Sequence, residues 1–229
     1  EYMQYEIKKW FGNPIFITKL DDYQTYNKDI KLLINKEVKP TNSQFAKTTD
    51  IKDDIPLQSI TDNLHTNSQF APLFKEIKSK LILFLTDHHY DLSAFEVHIT
   101  KAWATNSVKG QHIASHKHTA SHFSLVYYVQ AEEQGNITFE EDQWQKTGMY
   151  IPPNDNYYTK WSEINFASIQ YPSETGGLII FPSNLLHYTQ ENTTNEPRIS
   201  ISADVLLTMK TGVKSEHCLP SPETWSKVC

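Results

Sequence analysis

The chain carries a cluster of histidines that could bind a metal ion. Four lie within eleven residues, namely His112, His116, His118 and His122. On a β-strand, side chains two residues apart project from the same face, so His116 and His118 would present two imidazoles side by side. The four-residue spacings would also suit a helix, but the β-branched and aromatic run at 123–129 favours a strand. We therefore predict His116 and His118 as metal ligands, with His122 as the alternative to His118.

A third ligand has to come from another strand, and His187 is the best candidate. It ends the apolar run 177–186, which contains Pro182, and Arg198 follows it eleven residues later. Three nitrogen ligands with open positions suit iron(II), although zinc, nickel or copper could take the same geometry. The other histidines outside the cluster lack such a context and are predicted to be structural or exposed: His65, His88, His89, His98 and His217.

Arg198 is the only arginine among the 229 residues. Its planar guanidinium can bind a carboxylate with two parallel hydrogen bonds, a geometry that the ammonium group of lysine does not offer. One arginine retained in a chain that otherwise uses lysine, close to candidate metal ligands, indicates an anionic co-substrate beside the metal. The alternative is a surface ion pair on an ordinary strand.

Composition and charge indicate which binding partners and which cellular location to expect. The net charge is −6 and no basic patch is visible, so nothing favours nucleic acid as a partner. No run approaches the ~20 apolar residues that a membrane span requires, and the N-terminus lacks the pattern of a signal peptide. Cys218 and Cys229 are the only cysteines, too few for a disulfide framework. We therefore expect a cytoplasmic protein.

Hydrophobic periodicity predicts a helical N-terminal layer followed by a β-rich part. Residues 5–20 are typical of a strand, whereas 21–36 and 70–90 have apolar residues at helical spacing. The polar segment 37–68 is predicted to be a long loop or a lid. Short apolar or alternating runs then predict nine strands, at 95–103, 111–118, 123–130, 136–140, 148–151, 166–171, 177–182, 185–190 and 197–207. We expect one domain, 1–229, with a helical layer and loop at 1–94, a β core at 95–210 and a tail at 211–229.

Two segments resemble the metal-binding motifs of cupins. The segment 110–122 is similar to the first motif, with His122 where that motif has glutamate. The segment 176–187 is similar to the second, with Asn184 in place of glycine. The resemblance implies an α+β, mainly β fold. Its core would be a double-stranded β-helix, the jelly roll of cupins and of iron oxygenases, with the N-terminal helices packed on one sheet.

A closer resemblance covers most of the chain. The segments that carry it are Trp10 to Ile15, Trp103-x2-Asn106, Gly110, His116 to Tyr128, Ile180 to Ser183 with His187, and Pro197 to Ser200. They are similar to a family of iron(II)- and 2-oxoglutarate-dependent oxygenases common in marine bacteria and their phages. The resemblance implies an enzyme that uses Fe(II), 2-oxoglutarate and O2, hydroxylates a C–H bond of its substrate and releases succinate and CO2.

The same resemblance implies how the co-substrate binds. In the wider superfamily, 2-oxoglutarate chelates the iron through its keto acid end, and an Arg-x-Ser pair binds its distal carboxylate. Arg198 and Ser200 match that pair, and their spacing puts them on one face of a strand. Tyr127 or Tyr128 would donate a further hydrogen bond to the same carboxylate. The residues predicted to line the substrate pocket are Trp103, Asn106, Phe123 and Trp161.

One departure from the usual iron site leaves alternatives open. His118 stands where the common triad of two histidines and one carboxylate has Asp or Glu. Three imidazoles must be neutral to bind, so we expect iron to be lost at low pH. Halogenation, which related enzymes achieve with Gly or Ala at this position, is disfavoured. The rival functions are a metal cupin without 2-oxoglutarate, such as a three-histidine dioxygenase or an isomerase, and a noncatalytic β-sandwich with a structural metal. The expected substrate is a small molecule or a peptide.

Overall fold

The computed structural model describes residues 12–41, 43–48, 57–132, 135–140, 159–160 and 168–228. Two helices, α1 (Tyr23–Glu37) and α2 (Ala71–Asp87), pack on one face of a large sheet. Both bury side chains spaced three or four residues apart, which is the spacing that lines up one face of a helix. Short 3-10 helices occupy Leu64–Thr66, Ser68–Phe70 and Pro222–Thr224.

The strands form a two-layered β structure. In chain order they are β1 (Phe16–Lys19), β2 (Val38–Pro40), β3 (Ala46–Thr48), β4 (Leu57–Ser59), β5 (Phe95–Ser107), β6 (Gln111–Ile113), β7 (Phe123–Gln130), β8 (Ile137–Glu140), β9 (Ser168–Tyr171), β10 (Gly177–Pro182), β11 (Leu186–Thr189) and β12 (Arg198–Met209). The large sheet has the order β1-β10-β7-β12-β5-β4-β2. A second sheet has the order β11-β8-β9, and β3 pairs with β6. This arrangement confirms the predicted jelly-roll core.

Side chains along β12 alternate between the two faces of the large sheet, one of which packs against the helices and the other of which lines a cavity. Its apolar residues face the helices and are almost fully buried: Ile199, Ile201, Ala203, Val205 and Leu207. The intervening residues Arg198, Ser200, Ser202 and Asp204 all line a cavity on the opposite face. Because a strand alternates its side chains, one sequence supplies a core and a polar site. A smaller apolar cluster, including Val126, Phe139 and Phe181, fills the rest of the space between the sheets.

Most predicted elements have a counterpart in the structure. Both helices form, and β5 to β12 match eight of the nine predicted strands. The predicted strand 111–118 ends at Ile113, so the histidines after it lie on irregular backbone. The strand predicted at 148–151 lies outside the described residues. Strands β1, β2 and β4 come from the N-terminal part yet belong to the large sheet.

No helix in the described residues has both the length and the apolar character needed to cross a membrane.

Candidate metal and co-substrate site

The structure brings His116, His118 and His187 together. One ring nitrogen of each lies within 4.8 Å of those of the other two. His116 and His187 exchange a pair of backbone hydrogen bonds, of 2.9 and 3.0 Å, which joins the segment after β6 to β11. The backbone N–H of His118 donates to the carbonyl oxygen of Ser183 at 2.9 Å. Backbone pairing, rather than a continuous strand, therefore places the histidines.

The hydrogen bonds of the three rings fix their tautomers. Nδ1 of His116 lies 2.8 Å from the carbonyl oxygen of Ala114, and Nδ1 of His187 lies 2.8 Å from that of Leu185. Nδ1 of His118 lies 2.5 Å from Oδ1 of Asp204. Carbonyl and carboxylate oxygens only accept, so each Nδ1 carries the proton. Each Nε2 then offers a lone pair, as a histidine that binds a metal through Nε2 must.

The Nε2 atoms of His116 and His118 are only 3.2 Å apart. Two lone pairs at this distance repel each other unless a cation lies between them. Nitrogen ligands with bonds of ~2.1 Å to one ion are themselves ~3.0–3.4 Å apart, depending on the coordination geometry. Burial lowers the pKa of His116, and burial together with neighbouring His116 lowers the pKa of His187 to about 3. Both rings are thus neutral at neutral pH, and the site fits a divalent metal ion.

Aromatic rings surround the three histidines. Phe45 stacks on His116 with ring centroids 4.8 Å apart, and Trp103 stacks on His118 at 5.6 Å. Phe181 meets His187 edge-on at 4.8 Å. Phe45 is held there by the pairing of β3 with β6 and by a 2.7 Å hydrogen bond from the N–H of Ala114 to its carbonyl oxygen. Part of the segment predicted to be a lid is therefore paired with β6, and its Phe45 covers His116.

Arg198 lines the same cavity, which has a volume of about 290 Å³. Its side chain is buried; Nη1 donates to the carbonyl oxygen of Gly135 and Nη2 to Oγ of Ser107 at 3.3 Å. Nε has no partner. No carboxylate of the described residues influences its pKa, which burial lowers. A buried cation without a counter-charge is costly, so this guanidinium is suited to bind an anion.

Tyr128 is the second group in this cavity with an unmet hydrogen bond. Tyr128 is 1% exposed, and its hydroxyl finds no hydrogen-bond partner in the part of the chain that the structure describes. Burial raises its pKa to about 12, and the charge of Arg198 acts in the opposite direction. An unpaired buried hydroxyl costs about 1–3 kcal/mol. A carboxylate bound between Arg198 and Tyr128 would satisfy both groups, and Ser200 lines the same cavity.

Gly135 makes room for the guanidinium. Its φ is +62°, in the left-handed region that side chains other than glycine rarely adopt. A Cβ atom there would lie 2.6 Å from Nη1 of Arg198. The position therefore needs glycine both for its backbone conformation and for contact with the arginine.

The predicted pocket residues lie on different faces of their strands, and only some of them line the cavity. Trp103, Tyr128, Arg198 and Ser200 line the cavity. Tyr127 does not, because it precedes Tyr128 on β7 and projects from the opposite face of the strand, where its hydroxyl donates to Oδ1 of Asn27 at 2.6 Å on the helix side. The prediction that it binds the co-substrate is therefore wrong.

Three further predicted residues lie elsewhere. Phe123 packs edge-on against Phe84 at 5.1 Å in the helix-side core, so it is not a pocket wall. Asn106 also points away from the cavity, towards Asn35 of α1. His122 is not part of the histidine group, because its Nδ1 accepts a hydrogen bond from the N–H of Leu207 at 3.1 Å. Trp161 lies outside the described residues.

Three residues of the site escaped the sequence analysis: Phe45, Gly135 and Asp204. Asp204 had a signal, since it continues the alternation of Arg198 and Ser200 by four residues on the same strand face. Phe45 and Gly135 had none, because their contacts depend on pairing between distant segments.

Comparisons with known proteins agree with this geometry. Residues 101–204 match the sequence model of a family described as "Putative 2OG-Fe(II) oxygenase". No curated protein matches the chain significantly. Among solved structures, a prolyl-4-hydroxylase from Pseudomonas putida is similar with a TM-score of 0.53 at 9% identity, over 85% of this chain and 92% of that one.

Two further solved structures resemble the chain in fold. The 2-oxoglutarate-dependent epimerase SnoN of nogalamycin biosynthesis gives a TM-score of 0.57 at 17% identity, over 88% of this chain and 83% of that one. HygX from Streptomyces hygroscopicus, solved with nickel, 2-oxoglutarate and hygromycin B, gives 0.53 at 9% identity, over 84% and 82% of the two chains. At these identities the likeness concerns the fold.

Proposed function

We infer that the chain belongs to the 2OG-Fe(II) oxygenases, the family that matches residues 101–204, and that it is an enzyme dependent on iron(II), 2-oxoglutarate and O2. One observation carries this inference. The cavity that contains three converging histidine nitrogens also contains a buried arginine and a buried tyrosine. The arginine Nε and the tyrosine hydroxyl lack hydrogen-bond partners among the described residues. A metal site alone would not need these two groups, but a metal site that also binds a dicarboxylate would.

The three histidines would hold the iron through Nε2. Their Nδ1–H groups keep the rings oriented, two through backbone carbonyl oxygens and one through Asp204. When bound, iron(II) supplies a site at which O2 is reduced while 2-oxoglutarate provides two electrons. The stacked rings of Phe45 and Trp103 would limit the access of water to the metal.

We propose that Arg198, Tyr128 and Ser200 bind the distal carboxylate of 2-oxoglutarate. The guanidinium gains the counter-charge that the described residues do not supply. The tyrosine hydroxyl gains an acceptor, and charge-assisted hydrogen bonds of this kind are about twice as strong as neutral ones. These contacts would orient the opposite end of the molecule towards the histidines.

The outcome proposed for the substrate is hydroxylation of a C–H bond. One O2, one 2-oxoglutarate and the substrate would yield the hydroxylated product, succinate and CO2. A cavity of about 290 Å³ is at the small end of the range for ligand pockets, so a small molecule or one side chain of a peptide suits it. A more open cleft shares Thr41, Gln58 and Trp103 with it and could hold the rest of the substrate. The chain's few cysteines support a cytoplasmic location.

Release of succinate from 2-oxoglutarate tests the proposal. The purified protein, with iron(II) and air, should convert 2-oxoglutarate to succinate even without its substrate, at a slow uncoupled rate. Removal of iron or O2 should abolish the release. Arg198→Met should lower it at least 10-fold at limiting 2-oxoglutarate. Lys28→Met removes an exposed cation from α1 and should leave it unchanged.

The single arginine also permits a direct binding test. Protein labelled with 15N-arginine should give one Nε–H resonance, since Arg198 is the only arginine. Addition of 2-oxoglutarate to the iron-free, zinc-loaded protein should shift this resonance, because Nε gains a partner. An unmoved resonance, together with no succinate release by the wild type, would favour a metal cupin that does not use 2-oxoglutarate.

A further inference from the structure

We propose that Asp204, acting through His118, supplies to the metal the negative charge that a carboxylate ligand provides in the common triad. The inference rests on the proposed function, since it concerns the same metal site. Asp204 is a positioning residue here, because its carboxylate contacts Nδ1 of His118 and not the Nε2 that would hold the metal. It contacts the ligand that stands at the carboxylate's place in the sequence.

The contacts of Asp204 fit this role. Its Oδ1 lies 2.5 Å from Nδ1 of His118, and Asp204 is 6% exposed. A second donor, Oγ of Ser124, reaches the same oxygen at 3.0 Å. Ser124 is in turn 2.9 Å from Oγ of Ser183, which accepts from Oγ of Ser121 at 2.8 Å. This chain of serines holds the carboxylate in place on the side of His118 away from the other two histidines.

The neighbouring ligands lack such a group. The Nδ1–H groups of His116 and His187 donate to neutral backbone carbonyl oxygens. His118 alone donates to a carboxylate, and it is the residue that replaces the expected acidic ligand. A carboxylate bonded to Nδ1–H makes Nε2 more basic and a stronger ligand. The site thus keeps the net charge of a two-histidine, one-carboxylate centre, with the charge one residue farther from the metal.

The first test measures metal binding without turnover. Binding of Co(II) to the metal-free protein, by calorimetry and by the visible absorption of the complex, should be about 10–100-fold weaker in Asp204→Asn. The substitution keeps the size and a hydrogen-bond acceptor but removes the charge. Asp29→Asn, on the exposed face of α1, removes one negative charge elsewhere and should bind Co(II) like the wild type. Thermal unfolding of the metal-free variants controls for a purely structural effect.

A double-mutant cycle with His118→Asp tests whether Asp204 affects metal binding through His118. This substitution places a carboxylate at the ligand position itself, so the charge of Asp204 is no longer needed. In the His118→Asp background, Asp204→Asn should leave Co(II) affinity within about 3-fold or increase it, because two nearby carboxylates repel. This comparison also serves if Asp204→Asn alone does not fold.

The outcomes separate this inference from the proposed function. Wild-type Co(II) affinity in Asp204→Asn, or an equal loss of affinity in both backgrounds, would overturn the role of Asp204. A loss of Co(II) affinity from Asp204→Asn when His118 is present, but not in the His118→Asp background, supports that role. A protein that shows this pattern but releases no succinate from 2-oxoglutarate would retain the inference about Asp204 and refute the oxygenase.

Discussion

Arg198 and Tyr128 lie buried in one cavity, and within the described residues each keeps one polar atom without a hydrogen-bond partner. In the folded protein alone this arrangement is unfavourable, because a buried polar group without a partner loses its hydration. A bound carboxylate supplies acceptors to both groups and a charge to one. Binding of a co-substrate carboxylate, as proposed, would offset this cost in stability.

Tyr128→Phe removes the unpaired hydroxyl and keeps the ring. We expect the KM for 2-oxoglutarate to rise about 5–30-fold, which corresponds to the loss of one hydrogen bond to a charged group. The free energy of unfolding should be unchanged or slightly higher, because no partner is lost. Succinate release at varied 2-oxoglutarate concentration and urea unfolding measure the two quantities.

The neighbouring tyrosine is a matched control for this prediction. Tyr127→Phe removes a hydrogen bond to Asn27 on the helix side of the sheet. It should lower the free energy of unfolding by about 1 kcal/mol and leave the KM for 2-oxoglutarate unchanged. If both variants raised the KM equally, the assignment of Tyr128 to the co-substrate would be lost.

Gly135→Ala should impair co-substrate binding although it removes no polar group. The new methyl would lie 2.6 Å from Nη1 of Arg198, so the guanidinium has to move. We expect a rise of at least 10-fold in the KM for 2-oxoglutarate and a loss of roughly 1–2 kcal/mol of stability from the left-handed backbone.

Gly212→Ala separates the two effects. Gly212 has a φ of +84°, but its Cβ position faces open space. The variant should show the backbone strain and keep the wild-type KM. An unchanged KM in Gly135→Ala would mean that Arg198 tolerates displacement or does not bind 2-oxoglutarate.

The sequence predicted those parts of the site that depend on residue type and local spacing. Two histidines two residues apart, a third after an apolar strand and a single arginine were all recognisable, and the structure places them around one cavity. The choice between Tyr127 and Tyr128 was not readable, because β7 is buried on both faces and shows no polar alternation. Nor was Phe45 readable, since it reaches His116 only through the pairing of β3 with β6.

The metal-free protein should lose stability as the pH falls from neutral. The pKa of His187 in the folded state is about 3, well below its ordinary value, because the ring is buried beside His116. Above pH ~6.5 the ring is neutral in both states, and its contribution is fully present. At lower pH the unfolded chain binds a proton that the folded chain does not. The free energy of unfolding should therefore fall by up to about 1.4 kcal/mol per pH unit for this residue.

Urea unfolding with a chelator, from about pH 7 to about pH 5, measures this loss. His187→Gln cannot titrate, so the difference in stability between wild type and variant isolates the residue from other groups. As the pH falls, the free energy of unfolding of the wild type should decrease relative to that of His187→Gln. A difference independent of pH would show that His187 titrates normally in the folded protein.

Phe45→Ala should open the metal site to water. Phe45 covers His116 with a stacked ring and is only partly buried, so truncation should cost little stability while removing the cover. We expect bound Co(II) to be released to a chelator several-fold faster, because the apolar shell of a metal site limits access of solvent. Phe45→Leu keeps an apolar cover and should release the metal at close to the wild-type rate. Equal release rates in Phe45→Ala and the wild type would mean that water already reaches the histidines by another path.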